Sequence, residues 1–302
     1  MKGNIFNKAI FQAILAAALY ALSMPFSKML LMKTPPMMTA AFLYIGAGVG
    51  MSIVGFIRSK RQKEKTELRL TRNELPYIVA IVLLDIAAPI FLMFGLTMTT
   101  SANTSLLNNF EIVATAVIAL FIFKETINRR LWFAIALITV SSILLSVEST
   151  ESFSFSVGSL FVLLACVCWG FENNFTRKIS NKDPLEIVVI KGFGSGFGAL
   201  GIAFVAGEQL NSFSYIPAVL LLGFVAYGLS IFFYVYAQRE IGAAKTSAYY
   251  AVAPFIGVLL SFLILSERPN ILFGIALLIM IIGAWLASVD NKKIRNKKNA
   301  CT

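Results

Sequence analysis

The sequence predicts an all-α membrane protein of ten transmembrane helices in two inverted five-helix repeats. Three observations carry that expectation. Hydrophobic residues make up 58% of the 302 residues, and mean hydropathy is +0.80. Ten stretches approach the roughly 20 apolar residues that a helix needs to cross a bilayer. The chain also repeats itself. Ala102-Asn103-Thr104-Ser105 opens an apolar run that closes at Lys124-Glu125, and Ala244-Lys245-Thr246-Ser247 opens one that closes at Ser266-Glu267, 142 residues on. An odd number of spans per repeat turns the second copy over relative to the first.

The stretches can be taken in order. The first, 9–27, imitates a signal peptide, with Lys2, Lys8 and Ala16-Ala17-Ala18. It is read as retained, because Tyr20-Ala21, Phe26 and Lys28 are echoed by Trp169-Gly170, Phe175 and Arg177. The second, 36–57, starts at Pro36 and carries Gly46 and Gly50 for close helix contact. The third, 75–97, follows a basic connector, 58–74, and the fourth is 103–123. The fifth, 131–147, holds no charge and no Asn or Gln; the sixth is 157–176. The seventh, 185–207, contains Gly196-Phe197-Gly198-Ala199-Leu200-Gly201. That matches a dinucleotide fingerprint, but in mid-helix, without the preceding strand the fingerprint requires. Helix packing is its expected role. The eighth, ninth and tenth are 214–237, 246–265 and 271–289, the last again uncharged. Pro25, Pro89 and Pro254 lie within spans and are expected to kink them. Residues 1–148 and 156–290 form the two repeats, and 291–302 a basic tail.

The net charge of +11 encodes orientation rather than nucleic-acid binding. With the N-terminus in the cytoplasm, 22 of the 26 Lys and Arg fall on cytoplasmic segments. Only Lys28, Lys33 and Arg268 fall outside, and Lys191 is within a span. This is the positive-inside bias. It predicts a multi-pass protein of the cell membrane with both termini cytoplasmic, in contact with lipid and not with nucleic acid. Histidine is absent, which removes His-based catalysis, metal sites and proton relays. Cys166 and Cys168, two apart on one helix, point to different faces and read as packing residues. No cofactor, metal or catalytic residue is expected.

Ionisable groups within spans are costly and are functional candidates by default. The candidates are Asp85, Glu111, Glu172 and Lys191. At 1.5 Å per residue, Asp85 lies about 15 Å from the start of its helix and Glu111 about 18 Å from the end of its own. Both are therefore near the midplane. Glu172 and Lys191 sit at matching depth on consecutive helices and are expected to pair. Thr104, Asn108, Glu111 and Thr115 follow one face at i, i+4, i+7 and i+11, with Asn109 beside them. The sixth span repeats the chemistry in Trp169, Glu172, Asn173 and Thr176, with Asn174 read as helix–helix glue. With Lys191 assigned to Glu172, Asp85 and Glu111 are left without a counter-ion. Two such carboxylates favour a shared proton, which suits a proton-coupled site. Tyr227 and Tyr250 are added as cavity-lining candidates.

The ten spans, the five-plus-five repeat, the Lys124-Glu125 and Ser266-Glu267 endings and the aromatic-Gly/Ala…Lys/Arg pattern resemble the EamA branch of the drug/metabolite transporter superfamily over essentially the whole chain. The resemblance implies a basket of helices 1–4 and 6–9 around a central cavity, with helices 5 and 10 outside. It implies transport by alternating access, without ATP. Relatives commonly carry an Arg where this chain reads Phe42-Leu43-Tyr44, a departure that weakens anion recognition there. The expected function is secondary active transport of a small organic metabolite, amine or amino-acid-like, coupled to protons and directed outward, by a monomer or homodimer. Two other classes, a lipid-modifying membrane enzyme and a non-transporting scaffold or sensor, fit the missing histidine and the in-span charges less well.

Overall fold

The computed structural model describes residues 2–61, 68–124, 127–149, 154–210, 212–241, 246 and 249–288. Side chains are described for these except 2–7, 61, 148–149, 154–155 and 238–241. Among the described residues, nine helices are long and apolar enough to cross a membrane, and a tenth apolar helix is shorter. They are α1 (Lys8–Leu31), α2 (Pro36–Lys60), α3 (Arg72–Met98), α4 (Ser101–Phe121), α5 (Arg129–Ser146), α6 (Val157–Ile179), α7 (Pro184–Val205), α8 (Phe213–Ala237), α9 (Ala253–Leu265) and α10 (Ile271–Ser288). The protein is an all-helical, multi-pass membrane protein. One detail was not anticipated. Val147–Ser149 (β1) and Ser154–Phe155 (β2) form a short antiparallel ladder between α5 and α6. Beside the ladder, Ser156 N–H donates to the Ser146 carbonyl at 2.7 Å.

Side chains near the polar ends fix where helices start. Thr100, Asn128, Ser156 and Asp183 each accept a backbone N–H in the first turn of α4, α5, α6 and α7, satisfying donors that have no partner within the helix. The fourth helix of each half ends alike. Lys124 and Ser266 both adopt left-handed backbone, at φ 54° and 52°. Glu125, which follows Lys124, lies outside the described residues, as do Ala244-Lys245 at the opening of the second copy and the tail.

Packing follows the repeat. Exchanging each helix of one half for its equivalent in the other maps the main contacts onto themselves. The α3–α6 contact becomes α8–α1, α4–α6 becomes α9–α1, and α2–α7, α4–α9 and α5–α10 map to themselves. Glycines set the closest approaches. A Cβ at Gly223 would lie 2.0 Å from the Leu43 carbonyl oxygen, and one at Gly192 2.4 Å from Gly48 N. Either clash would force α2 away from α8 or α7. Within the Gly-rich run, Gly196 and Gly198 admit Ile45 and Ile86, whereas Gly201 meets nothing.

The α5–α10 pair stands outside this core, joined by Ser141 Oγ donating to the Ala276 carbonyl and Arg130 Nε to the Leu286 carbonyl. Their outer faces expose Phe133 (68%) and Trp285 (63%). A broad apolar surface of this kind suits hydrocarbon rather than water.

Among the described residues, three spans depart from regular α-helix, and two of the three expected proline kinks are not breaks. α1 is interrupted at Leu22, ahead of Pro25, and α4 at Asn108-Asn109. α8 passes through a π-helical stretch, Gly223–Leu229. α3 continues through Pro89. Pro254 was expected to kink the ninth span; it stands instead in the first turn of α9, after a turn at Ala251-Val252. Proline is tolerated there because first-turn N–H groups have no partner within the helix.

Candidate functional site

The buried charges meet between α3, α6 and α7. Lys191 Nζ lies 2.7 Å from Glu172 Oε1 and 3.1 Å from Asp85 Oδ2. Tyr44 Oη donates to the other Asp85 oxygen at 3.2 Å, and Thr176 Oγ1 donates to Glu172. Asp85, Glu172 and Lys191 are 1%, 4% and 7% exposed. One ammonium thus serves two carboxylates. The expected Glu172–Lys191 contact is present, but the expected pairing of Asp85 with Glu111 is not. An ammonium has three donors, so Lys191 can serve both acids, and Asp85 does not need Glu111 as a partner.

Glu111 has a different environment. Asn173 Nδ2 donates to Glu111 Oε1 at 2.5 Å and to Thr115 Oγ1 at 3.4 Å. Among the described residues no ion pair reaches Glu111. Asn174 Nδ2 donates to the Thr115 and Gly170 carbonyls, tying α6 to α4. The anticipated stripe on α4 is cut by the break at Asn108-Asn109. Thr104 Oγ1 turns back to the Thr100 carbonyl at 2.9 Å, leaving it no free donor. Asn109 Nδ2 donates to the Leu106 carbonyl, while its Oδ1 is buried and has no hydrogen-bond partner among the described residues. Asn108 Oδ1 faces the Cys166 thiol at 3.9 Å. Trp169 is packed into the apolar core.

Tyrosines form a second interior cluster. Tyr234 and Tyr250 have ring centroids 4.9 Å apart. Tyr250 and Tyr20 are 5.9 Å apart, as are Tyr20 and Tyr227, and Tyr227 and Tyr44 are 5.4 Å apart. The array therefore runs continuously through α1, α2, α8 and the residues ahead of α9, and Tyr44 joins it to Asp85. Tyr20 and Tyr44 were not among the sequence candidates. Tyr20 was visible as the counterpart of Trp169, and Tyr44 as the end of the departing Phe42-Leu43-Tyr44.

Both ends of the bundle are fastened by charged side chains. At the Lys28 end, Glu208 accepts the Met37 and Met38 N–H groups at the start of α2. Glu267 accepts those of Ser101 and Ala102 at the start of α4, at 2.7 and 2.8 Å. Lys28 Nζ donates to the Leu96 and Thr99 carbonyls at the end of α3. A cavity of about 490 Å³ opens beside Lys28, Glu267 and Arg268. At the other end, Lys182 pairs with Glu74 at 3.1 Å and Arg58 approaches Asp183 at 4.0 Å.

A membrane-spanning bundle with a charged, aromatic interior and fastened ends is the architecture of a carrier. Residues 7–147 and 156–289 match the EamA-like transporter family. An uncharacterized transporter of Methanothermobacter thermautotrophicus is 26% identical over 293 residues, spanning 92% of this chain and 85% of that one. The uncharacterized transporter YyaM of Bacillus subtilis is 24% identical over 237 residues, 74% of this chain and 76% of its own. A protein of known crystal structure superposes with a TM-score of 0.66 at 16% identity, over 94% of this chain and 96% of that one, a likeness of fold alone. The chain belongs to the EamA-like transporter family. The family and these relatives are named as transporters, not enzymes.

Proposed function

We propose that this protein is a proton-coupled secondary carrier for a small organic amine or amino-acid-like metabolite, exporting it across the cell membrane by alternating access. The observation that carries the reading is the pairing of Glu111, which no cation neutralises among the described residues, with a continuous tyrosine array. Tyrosine faces attract an ammonium. A buried carboxylate without a cationic partner can hold either a proton or that ammonium, and not both. Competition for one group couples the two fluxes. The Lys191 triad, neutralised internally, plays the structural part, and Glu111 is the coupling residue.

Residues 1–148 and 156–290 act as the two rocking repeats, in a monomer or homodimer. The distribution of Lys and Arg supports a cytoplasmic location for both termini and for the end bearing Arg58 and Lys182. The test is Glu111→Gln in proteoliposomes carrying an imposed pH gradient. The variant is expected to lose uphill amine accumulation while still exchanging amine for amine. Accumulation equal to wild type rejects Glu111 as the coupling group.

A further inference from the structure

The bundle is sparing with positive charge at its Lys28 end. Of the 26 Lys and Arg in the chain, only Lys28, Lys33 and Arg268 fall there. Lys28 and Arg268 both line the cavity of about 490 Å³. A second cavity at the same end, about 440 Å³ beside Glu208, has no Lys or Arg in its wall among the described residues. The scarce cations of this end are therefore gathered around one of its two cavities, against the charge bias of the chain.

Neither cation is spent on an acid. Lys28 Nζ donates to the Leu96 and Thr99 carbonyls, and an ammonium has a third donor. Arg268 is exposed. Among the described residues no ion pair reaches either one. Glu267 stands in the same wall, but its two oxygens accept the Ser101 and Ala102 N–H groups.

Depth and lining define what the cavity suits. Its polar groups come from span ends: Lys28 of α1, the turn from Thr97 to Thr100 between α3 and α4, and the connection from α9 to α10 at Arg268. Span ends lie at the level of the lipid headgroups. The remaining wall is apolar, from Leu144 of α5, Phe262 of α9 and Leu272 of α10. A free inorganic anion needs the cations and not the apolar wall. A phospholipid needs both.

We propose that this cavity is a lipid site, in which Lys28 and Arg268 hold the phosphate of an anionic phospholipid and the apolar wall holds its glycerol and first methylenes. The bound lipid touches α1 and the α3–α4 turn of the first repeat and the α9–α10 connection of the second. It therefore favours the closed form of this end over any form in which these elements separate.

The test uses the full-length protein in nanodiscs, with the native cysteines replaced and Thr97→Cys introduced at an exposed position of the cavity lining. Labelling by a membrane-impermeant thiol reagent is followed as dioleoylphosphatidylglycerol replaces dioleoylphosphatidylcholine. The phosphatidylglycerol fraction that gives half-protection measures affinity at the cavity. Arg268→Gln should raise that fraction about fivefold, the effect of one basic residue near a membrane surface. Lys33→Gln, which removes the cation outside the cavity, should leave it unchanged. The lipid surface charge acts on the reagent alike in both variants, and thermal unfolding checks that both are folded. Half-protection in Arg268→Gln equal to wild type overturns the site, as does an equal rise in the two variants. Wild-type labelling that ignores lipid composition overturns it too. Protection by inorganic phosphate in pure phosphatidylcholine discs, as full as that by phosphatidylglycerol, makes this a soluble-anion site and overturns the lipid.

Discussion

Lys191 shows how much one side chain can be asked to do in a membrane interior. It sits between two carboxylates that would otherwise repel each other in a region of low dielectric. Such a triad owes little net stability to Coulomb attraction, because each ion gave up its hydration to enter. Breaking it is another matter. Lys191→Met leaves Asp85 and Glu172 buried and unpaired, and should lower unfolding free energy by about 3–5 kcal/mol. Thermal or denaturant unfolding in detergent measures this. Neutralising all three positions together, with Asp85→Asn, Glu172→Gln and Lys191→Met, should recover most of the loss. A single variant as stable as wild type contradicts the structural role. At this scale the sequence revealed which residues were buried and charged, but not how they pair. Depth along a helix can be counted from its ends, whereas azimuth around the bundle depends on packing. Asp85 and Glu111 share a depth and have different partners for that reason.

The helices are informative where they break. Hydropathy located the spans, because bilayer thickness fixes their length. It could not find the π-helical stretch in α8 or the break at Asn108-Asn109, both set by tertiary contact. These irregularities adjoin Tyr227 and Glu111, as π-bulges often adjoin functional sites. The ends matter equally. Glu208 and Glu267 each hold two N–H groups at a helix start on a separate element, where helix dipole and hydrogen bonding act together. In the alternating-access cycle proposed above, these contacts would part when the Lys28 end opens. Glu267→Gln keeps the shape and loses the charge, which should weaken the clasp by about 1–2 kcal/mol. A cysteine placed at Asn103, half-buried beside the cavity, then reports the change through faster labelling by a membrane-impermeant thiol reagent, on a background with the native cysteines replaced. An unchanged labelling rate removes Glu267 from the gate.

At the scale of the whole molecule, two halves share a scaffold and differ in chemistry. The repeat in the sequence foretold that helix exchange would map the contacts onto themselves. The same alignment sets Asp85 opposite Tyr227, Glu111 opposite Ala253 and Glu172 opposite Ser23. The buried interior is therefore acidic on one side and hydroxyl-bearing on the other. Glu111, buried in mid-span and without an ion pair among the described residues, has a consequence for energetics. If a cycle trades one proton for one substrate at that carboxylate, its electrical sign is set by the substrate alone. A monovalent amine exchanged for a proton moves no net charge, and membrane voltage cannot drive it. A zwitterion exchanged for a proton moves one charge, worth about 2.3 kcal/mol per 100 mV. Proteoliposomes clamped with potassium and valinomycin should therefore show voltage-dependent flux, and voltage-independent flux would mean a cationic cargo. A single unneutralised carboxylate thus lets an electrical measurement report the charge of the cargo before the cargo is identified.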